Sequence, residues 1–190
     1  MSIKRLTPPE AASNAATNRL ATLERAKGRS PDLEAGGGIM ANPDHSLPVY
    51  HLDCAINMNE ELSLAAARPV GWQYLVGFGE DAKSVEVLDD VAVTVDRGAV
   101  ALNIAHALHV AQKNVSDIDY EARMLTFGRV ANPVLWLHPE YDGAERFFSL
   151  GPESQEVEPA NVIAKARNIA ATRKTSSTMS LEGSNDESGG

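Results

Sequence analysis

Apolar and polar residues alternate most regularly between residues 120 and 150 of this 190-residue chain. The period of two predicts three strands, at residues 120–127, 133–137 and 146–150. The turn-rich segment HPEYDGAE, residues 138–145, joins the last two strands. Because this stretch also holds much of the aromatic content of the chain, we take it as the centre of the predicted core.

Shorter β-type patterns precede this block. The segment PVYHLDCAI, residues 48–56, predicts a half-buried strand with His51 and Asp53 on its wetter face. A second strand is predicted at residues 71–78, after a short helix at 60–67. Residues 84–96 predict one or two strands, with Asp89 and Asp90 forming a turn or a bulge between them.

Three segments carry helical patterns. Residues 98–114 form the strongest predicted helix, because their apolar positions make a wide continuous surface. Residues 8–27 predict a helix with a thin stripe of small residues, which gains little from burial and is therefore a docking arm or partly disordered. A third helix is predicted at residues 160–173, where acidic residues precede the helix and basic residues end it.

These elements predict an α+β fold: a mostly antiparallel sheet of about five or six strands, covered by one central helix, with peripheral N- and C-terminal helices. The excess of strands over helices disfavours a doubly wound parallel sheet. The predicted units are an N-terminal helical arm with a Gly/Pro linker (1–47), a core domain (48–152), a C-terminal helix (153–174) and a disordered polar tail (175–190).

The formal net charge of −9 is unevenly distributed. Residues 31–158 carry 21 acidic and 7 basic residues, whereas residues 1–30 and 159–174 are both basic. The candidate interaction residues are the bases of these two arms: Arg19, Arg25, Lys27, Lys165, Arg167 and Arg173. The arms either lie on the acidic surface of their own chain or engage another subunit or an acidic partner.

The remaining composition bounds the class of protein. A single cysteine, Cys54, excludes an intrachain disulfide and fits a reducing compartment. No apolar run is long enough for a membrane span, and the N-terminus lacks the apolar region of a secretory signal, so we predict a cytoplasmic protein without membrane partners. The acidic body disfavours nucleic acid as a partner.

Five residues are candidates for chemistry. His106 and His109 are three residues apart on a predicted helix, a spacing used for metal ligation. His51 and Asp53 share one face of a strand, and His138 opens an acidic loop. Each also has a plainer structural interpretation, as a half-buried histidine or a turn residue. With no phosphate-binding loop and no nucleophile elbow, we predict no cofactor, no metal and no assigned catalytic residue.

Three segments together resemble a group of uncharacterised bacterial proteins of similar size. They are RPVGWQYLV (68–76), YEARML (120–125), and LWLH (135–138) followed by an acidic turn and RFFSL (146–150). In that group a YExR strand precedes an LWLH strand and a closing hydrophobic strand. The resemblance covers about residues 48–152. It implies a single domain and carries no activity or functional residue over to this chain.

The sequence therefore favours a non-enzymatic protein-interaction or assembly module, which binds a protein partner or its own copies through the terminal helices. The alternative is a small metal-dependent or hydrolytic enzyme using the candidate histidines of the core domain. A third class, a protein acting by surface mimicry, fits the acidic body but has no supporting motif.

Overall fold

A single β-sheet organises the computed structural model, which describes residues 3–26, 46–53, 63–77, 82–115, 118–127 and 132–182, without the side chains of residues 97, 170 and 173–182. In these ranges nine strands join one sheet. They are β1 Ile3–Lys4, β2 Ser46–His51, β3 Arg68–Val76, β4 Lys83–Leu88, β5 Val91–Arg97, β6 Tyr120–Thr126, β7 Val134–Pro139, β8 Arg146–Ser149 and β9 Glu156–Val157.

The strands lie in the order β5-β4-β3-β2-β6-β7-β8-β9, with β1 also paired to β6. Most pairings are antiparallel, but β1 and β2 both run parallel to β6. Since β7 occupies one edge of β6, β1 and β2 follow each other along its other edge. The α+β class is confirmed; the sheet is mixed and has more strands than the five or six predicted.

The sequence left open whether Asp89 and Asp90 form a turn or a bulge, and the structure shows a turn between β4 and β5. Asp89 and Asp90 have φ angles of 48° and 60°, the pair of positive values typical of a type I′ hairpin turn. Aspartate tolerates this region because its short side chain bonds locally to the backbone. Residues 84–96 therefore form two strands of one hairpin, and a register shift lies between Glu86 and Val87.

Helix α2, Ala99–Asn114, covers one face of the sheet, called here the α2 face. Ile104, Ala107 and Leu108 pack there against apolar side chains of the central strands. The sheet side chains of this cluster are Leu47, Val49, Tyr120, Ala122, Met124, Leu135, Leu137 and Phe148. This helix matches the predicted one at 98–114, and Gly98 at its start has a positive φ of 65°.

Helix α1, Glu10–Ala26, lies on the opposite face, over β3, β4 and β5. Its small residues let the helix approach the strands closely, so Ala12, Ala16 and Leu20 are buried against Tyr74, Val85 and Val87. The Glu24 carboxylate, which is also buried, accepts a hydrogen bond from Lys83 of β4 at 2.8 Å. The narrow stripe of small residues on α1 is therefore buried once the helix packs on the sheet.

Helix α3, Pro159–Glu182, packs on the same face as α1, over the other half of the sheet. Val162 and Ala166 are buried there with Leu125, Phe127 and Phe147. We call this side the α1/α3 face. Because three helices pack on the sheet, the single covering helix of the prediction is not confirmed.

Helix α3 also extends beyond its predicted end at residue 173. No glycine or proline occurs between residue 160 and Gly183, so nothing in the sequence breaks the helix earlier. The predicted tail at 175–190 is therefore helical as far as Glu182, and residues 183–190 lie outside the described residues. The predicted linker, at 28–47, lies mostly outside them. Of the predicted helix at 60–67, a 3₁₀ turn at Leu64–Ala66 is described.

Candidate functional site

The predicted histidines occupy separate places in the fold. His106 and His109 are exposed on α2. His51, at the end of β2, lies within hydrogen-bond distance of the Thr126 hydroxyl, its Nδ1 being 3.2 Å away. His138 lies on β7. Among the described residues, no three His, Cys, Asp or Glu side chains are placed to hold a metal ion.

Two other predicted groups have partners of their own. Asp53 lies 4.0 Å from the guanidinium of Arg68. Lys165 on α3 donates to the backbone oxygen of Asn132 at 2.9 Å and lies over the Phe127 ring at 5.6 Å. Burial lowers the pKa of Lys165 from its ordinary value. This base therefore binds within its own chain.

Of the other basic residues predicted to bind a partner, some are exposed on the surface and the rest lie outside the described structure. Arg19 and Arg25 are exposed on α1, and Arg167 is exposed on α3. Lys27, the side chain of Arg173 and Cys54 lie outside what the structure describes. The three exposed arginines all stand on the helices of the α1/α3 face.

A polar and aromatic cluster that the sequence analysis did not predict lies on this same face. Glu121 stands directly opposite His138, and Arg123 directly opposite Trp136, in the antiparallel register of β6 and β7. These four residues belong to the YExR and LWLH motifs. The two motifs therefore meet across one strand pair and present their polar residues on the same face.

The Arg123 guanidinium is held by two aromatic rings and one carboxylate. It lies 4.6 Å from the ring centre of Tyr50 and 4.9 Å from that of Trp136. Its Nε donates to Glu121 at 2.6 Å, and Glu121 is its only hydrogen-bond acceptor among the described residues. Each cation–π contact is worth about 0.5–2 kcal/mol. This arrangement orients the arginine firmly and joins β2, β6 and β7.

Glu145, just before β8, binds two side chains of β7. Its carboxylate accepts hydrogen bonds from Trp136 Nε1 at 2.5 Å and from His138 Nδ1 at 2.9 Å. Because an ionised carboxylate only accepts, the Nδ1 of His138 must carry a proton. In the neutral imidazole the Nε2 atom is then an acceptor or a base, the arrangement that carboxylate–histidine pairs use in enzymes.

Strand β5 forms one edge of the sheet and exposes apolar side chains. It pairs with β4 on one side, and no described strand pairs with the other. Val91 is 62% exposed and Val93 is 47% exposed. Two apolar residues of the following helix, Val100 and Leu102, are also exposed. An open edge with exposed valines is the kind of surface on which a further strand adds.

Part of this arrangement was available in the sequence. The alternation within YExR and LWLH already places Glu121 with Arg123, and Trp136 with His138, on shared faces of their strands. The register that brings the two pairs together, and the position of Tyr50 on β2 beside them, depend on tertiary structure.

Comparisons with protein-family models, curated proteins and solved structures find no match. Within the described ranges, every helix is too short or too polar to cross a membrane.

Proposed function

We propose that this protein is a non-enzymatic assembly module that associates with a second copy of itself through the open edge of β5. The observation that carries the proposal is the exposure of Val91 and Val93 on a seven-residue edge strand. Edge strands that face solvent are commonly protected by lysine, proline or a covering loop. Strand β5 contains neither lysine nor proline, and in the described part of the chain no strand pairs with its outer edge.

Backbone pairing provides the affinity in such an association. Two copies of β5 that meet antiparallel form inter-strand hydrogen bonds, and the sheet continues from one subunit into the next. Burial of the two exposed valines adds about 25 cal/mol for each Å² of apolar surface removed from water. The same strand meeting itself gives a closed two-fold dimer, the commonest symmetry of oligomers.

The terminal helices have a different part in this proposal from the one expected of them. The apolar stripe of α1 packs against the sheet of the same chain, where Ala12, Ala16 and Leu20 are buried, so it is not available to a partner. What α1 and α3 offer outward is charge, through Arg19, Arg25 and other exposed bases. We propose that these arginines select an acidic surface on a partner, while β5 provides self-association.

Solution mass as a function of concentration tests the proposal on the full chain. We expect light scattering to show a mass that rises from monomer to dimer. Val93→Lys places a charge at the edge and should keep the protein monomeric. The matched control is Tyr141→Lys, which removes an exposed apolar side chain, 79% exposed, from the β7–β8 connection. A monomeric wild type at every concentration, or a dimeric Val93→Lys, would contradict the proposal.

The alternative function, a small hydrolytic or metal-dependent enzyme, retains one supporting observation. The Glu145 carboxylate orients His138, and the side chain of His138 is 37% exposed. A lone histidine base would act on an activated ester without any metal. Hydrolysis of a chromogenic acetate ester should then fall in His138→Asn, while His109→Asn serves as the control. Equal rates in wild type and His138→Asn would remove this alternative.

A further inference from the structure

Two buried polar side chains on the α2 face lack hydrogen-bond partners. The Nε2 atom of Gln73 and the Oγ atom of Ser84 form no hydrogen bond within the described structure. Gln73 is 8% exposed and Ser84 is fully buried. A buried polar group without a partner destabilises the fold, because it has lost its hydrogen bonds to water and gained none in return. Such groups are rare in folded proteins and call for an explanation such as a bound water or ion.

Two carboxylates stand beside these orphaned atoms. In the register of the sheet, Gln73 on β3 is directly opposite Glu86 on β4. Ser84, also on β4, is directly opposite Asp96 on β5. Since Ser84 and Glu86 are two residues apart on one strand, all four side chains lie on the same face. Directly opposite residues are about 5 Å apart, so the four side chains form one continuous polar patch on this face.

The two carboxylates have no compensating charge in the described structure. Neither Glu86 nor Asp96 forms an ion pair with a described residue, and Lys83, which precedes Ser84 on β4, points to the other face, where it binds Glu24. The site therefore combines uncompensated negative charge with buried oxygen-bearing side chains.

Helix α2 makes this arrangement unusual. Polar and apolar residues alternate along β4. Val85 and Val87 face α1, so Ser84 and Glu86 point to the opposite face of the sheet. A strand with such a pattern normally turns its polar side to water. Here the sheet face that carries these polar residues is the one covered by α2, which packs on the neighbouring strands. Gln73 and Ser84 are thus buried on a face that a helix covers, while Glu86 and Asp96 remain partly exposed beside them.

We propose that Gln73, Ser84, Glu86 and Asp96 form a binding site for a hard divalent cation, Mg²⁺ or Ca²⁺. The two carboxylates and the serine hydroxyl supply oxygen ligands directly, and a half-turn of the Gln73 amide presents its Oε1 atom in place of Nε2. Water completes the six or more positions that such ions require. The cation offsets the charge of the carboxylates and gives the two orphaned side chains a partner. This site is independent of the self-association proposed above.

Cation binding should stabilise the full-length protein, because a ligand that binds the folded state raises the unfolding temperature. The protein is first treated with EDTA and dialysed, and unfolding is then followed while CaCl₂ or MgCl₂ is added. Sodium chloride at matched ionic strength accounts for charge screening. We expect a saturable rise with at least one divalent cation, and calorimetry then gives its dissociation constant.

Variants assign the effect to this site. In Glu86→Gln and Asp96→Asn the dissociation constant should rise about tenfold or more. Ser84→Ala keeps both carboxylates and should weaken binding less. The matched control is Asp90→Asn, which removes an exposed acid from the β4–β5 turn and should bind as wild type does. The proposal is overturned if wild type gains no stability over sodium chloride, if Glu86→Gln and Asp96→Asn bind as wild type does, or if Asp90→Asn loses binding equally.

Discussion

Replacement of Leu20 by alanine tests whether α1 is part of the cooperative fold. Leu20 is 1% exposed and packs in the cluster that joins α1 to β3 and β4. Truncation of a buried leucine loses transfer free energy and leaves a cavity, which together cost about 3 kcal/mol. For a chain of this length the urea dependence is roughly 2 kcal/mol per molar, so the unfolding midpoint should fall by about 1.5 M.

The natural control lies one residue away. Arg19 is exposed on the same helix, and Arg19→Ala should change the free energy of unfolding by less than about 0.5 kcal/mol. Leucine and arginine have nearly equal helix propensities, so both substitutions alter the intrinsic stability of the helix alike. The difference between the two variants therefore isolates burial. A loss below about 1 kcal/mol in Leu20→Ala would refute the packing of α1 on the sheet.

The two tryptophans report on different halves of the sheet, Trp72 on β3 and Trp136 on β7. Trp72 packs against the α1 cluster, whereas Trp136 belongs to the α3 cluster. Single-tryptophan proteins, made with Trp72→Phe or Trp136→Phe, should give the same midpoint in Leu20→Ala if α1 unfolds together with the sheet. A Trp72 transition at distinctly lower urea would show that α1 detaches as a separate unit.

Three further predictions follow from backbone and charge geometry. Gly71→Ala should prevent folding or destabilise by more than about 3 kcal/mol, since an added Cβ would lie 1.9 Å from a backbone oxygen of β4; soluble yield and circular dichroism check this. Asp89→Asn with Asp90→Gly should raise the free energy of unfolding by about 1 kcal/mol by relieving positive φ in the turn; urea midpoints would show it. Arg146 hydrogen-bonds both oxygens of Glu156 and lowers the pKa of that carboxyl, so Glu156→Gln should lose modest stability at neutral pH. Because a depressed folded pKa gives stability that is fully present above the unfolded value of 4.5 and is lost as the pH falls through the lower folded pKa, the difference should vanish below that pKa, as unfolding temperatures against pH would reveal.

Local pattern was enough to find most of the regular elements. The strands predicted at 120–127, 133–137 and 146–150 are observed as β6, β7 and β8, because alternation with period two is a property of each strand alone. Helix α2 was also found from local pattern, whereas at Asp89-Asp90 the pattern left a turn and a bulge as alternatives. Strand β1 was missed, since two residues, Ile3 and Lys4, carry no pattern and become a strand only by pairing with β6.

The candidate site was less accessible to sequence reasoning. The histidines selected for their spacing are dispersed, with His106 and His109 on α2 and His138 on β7. Spacing along a chain shows which side chains share an element, but it does not show which elements meet. The orphaned side chains of Gln73 and Ser84 carried no signal, because a polar residue in an alternating strand is expected to face water.

The sequence by itself determined the class of the fold, the positions of most strands, a turn or bulge at Asp89-Asp90 and the location of the apolar mass. These follow from interactions between residues close in the chain, namely side-chain periodicity and turn preferences. Tertiary structure decided the parallel pairing of β1 and β2 with β6, the docking of α1 through its alanines, the meeting of Arg123 with Trp136 and the burial of Ser84 beneath α2. Each of these depends on which distant segments pack together, and that choice is made by the free energy of the whole core.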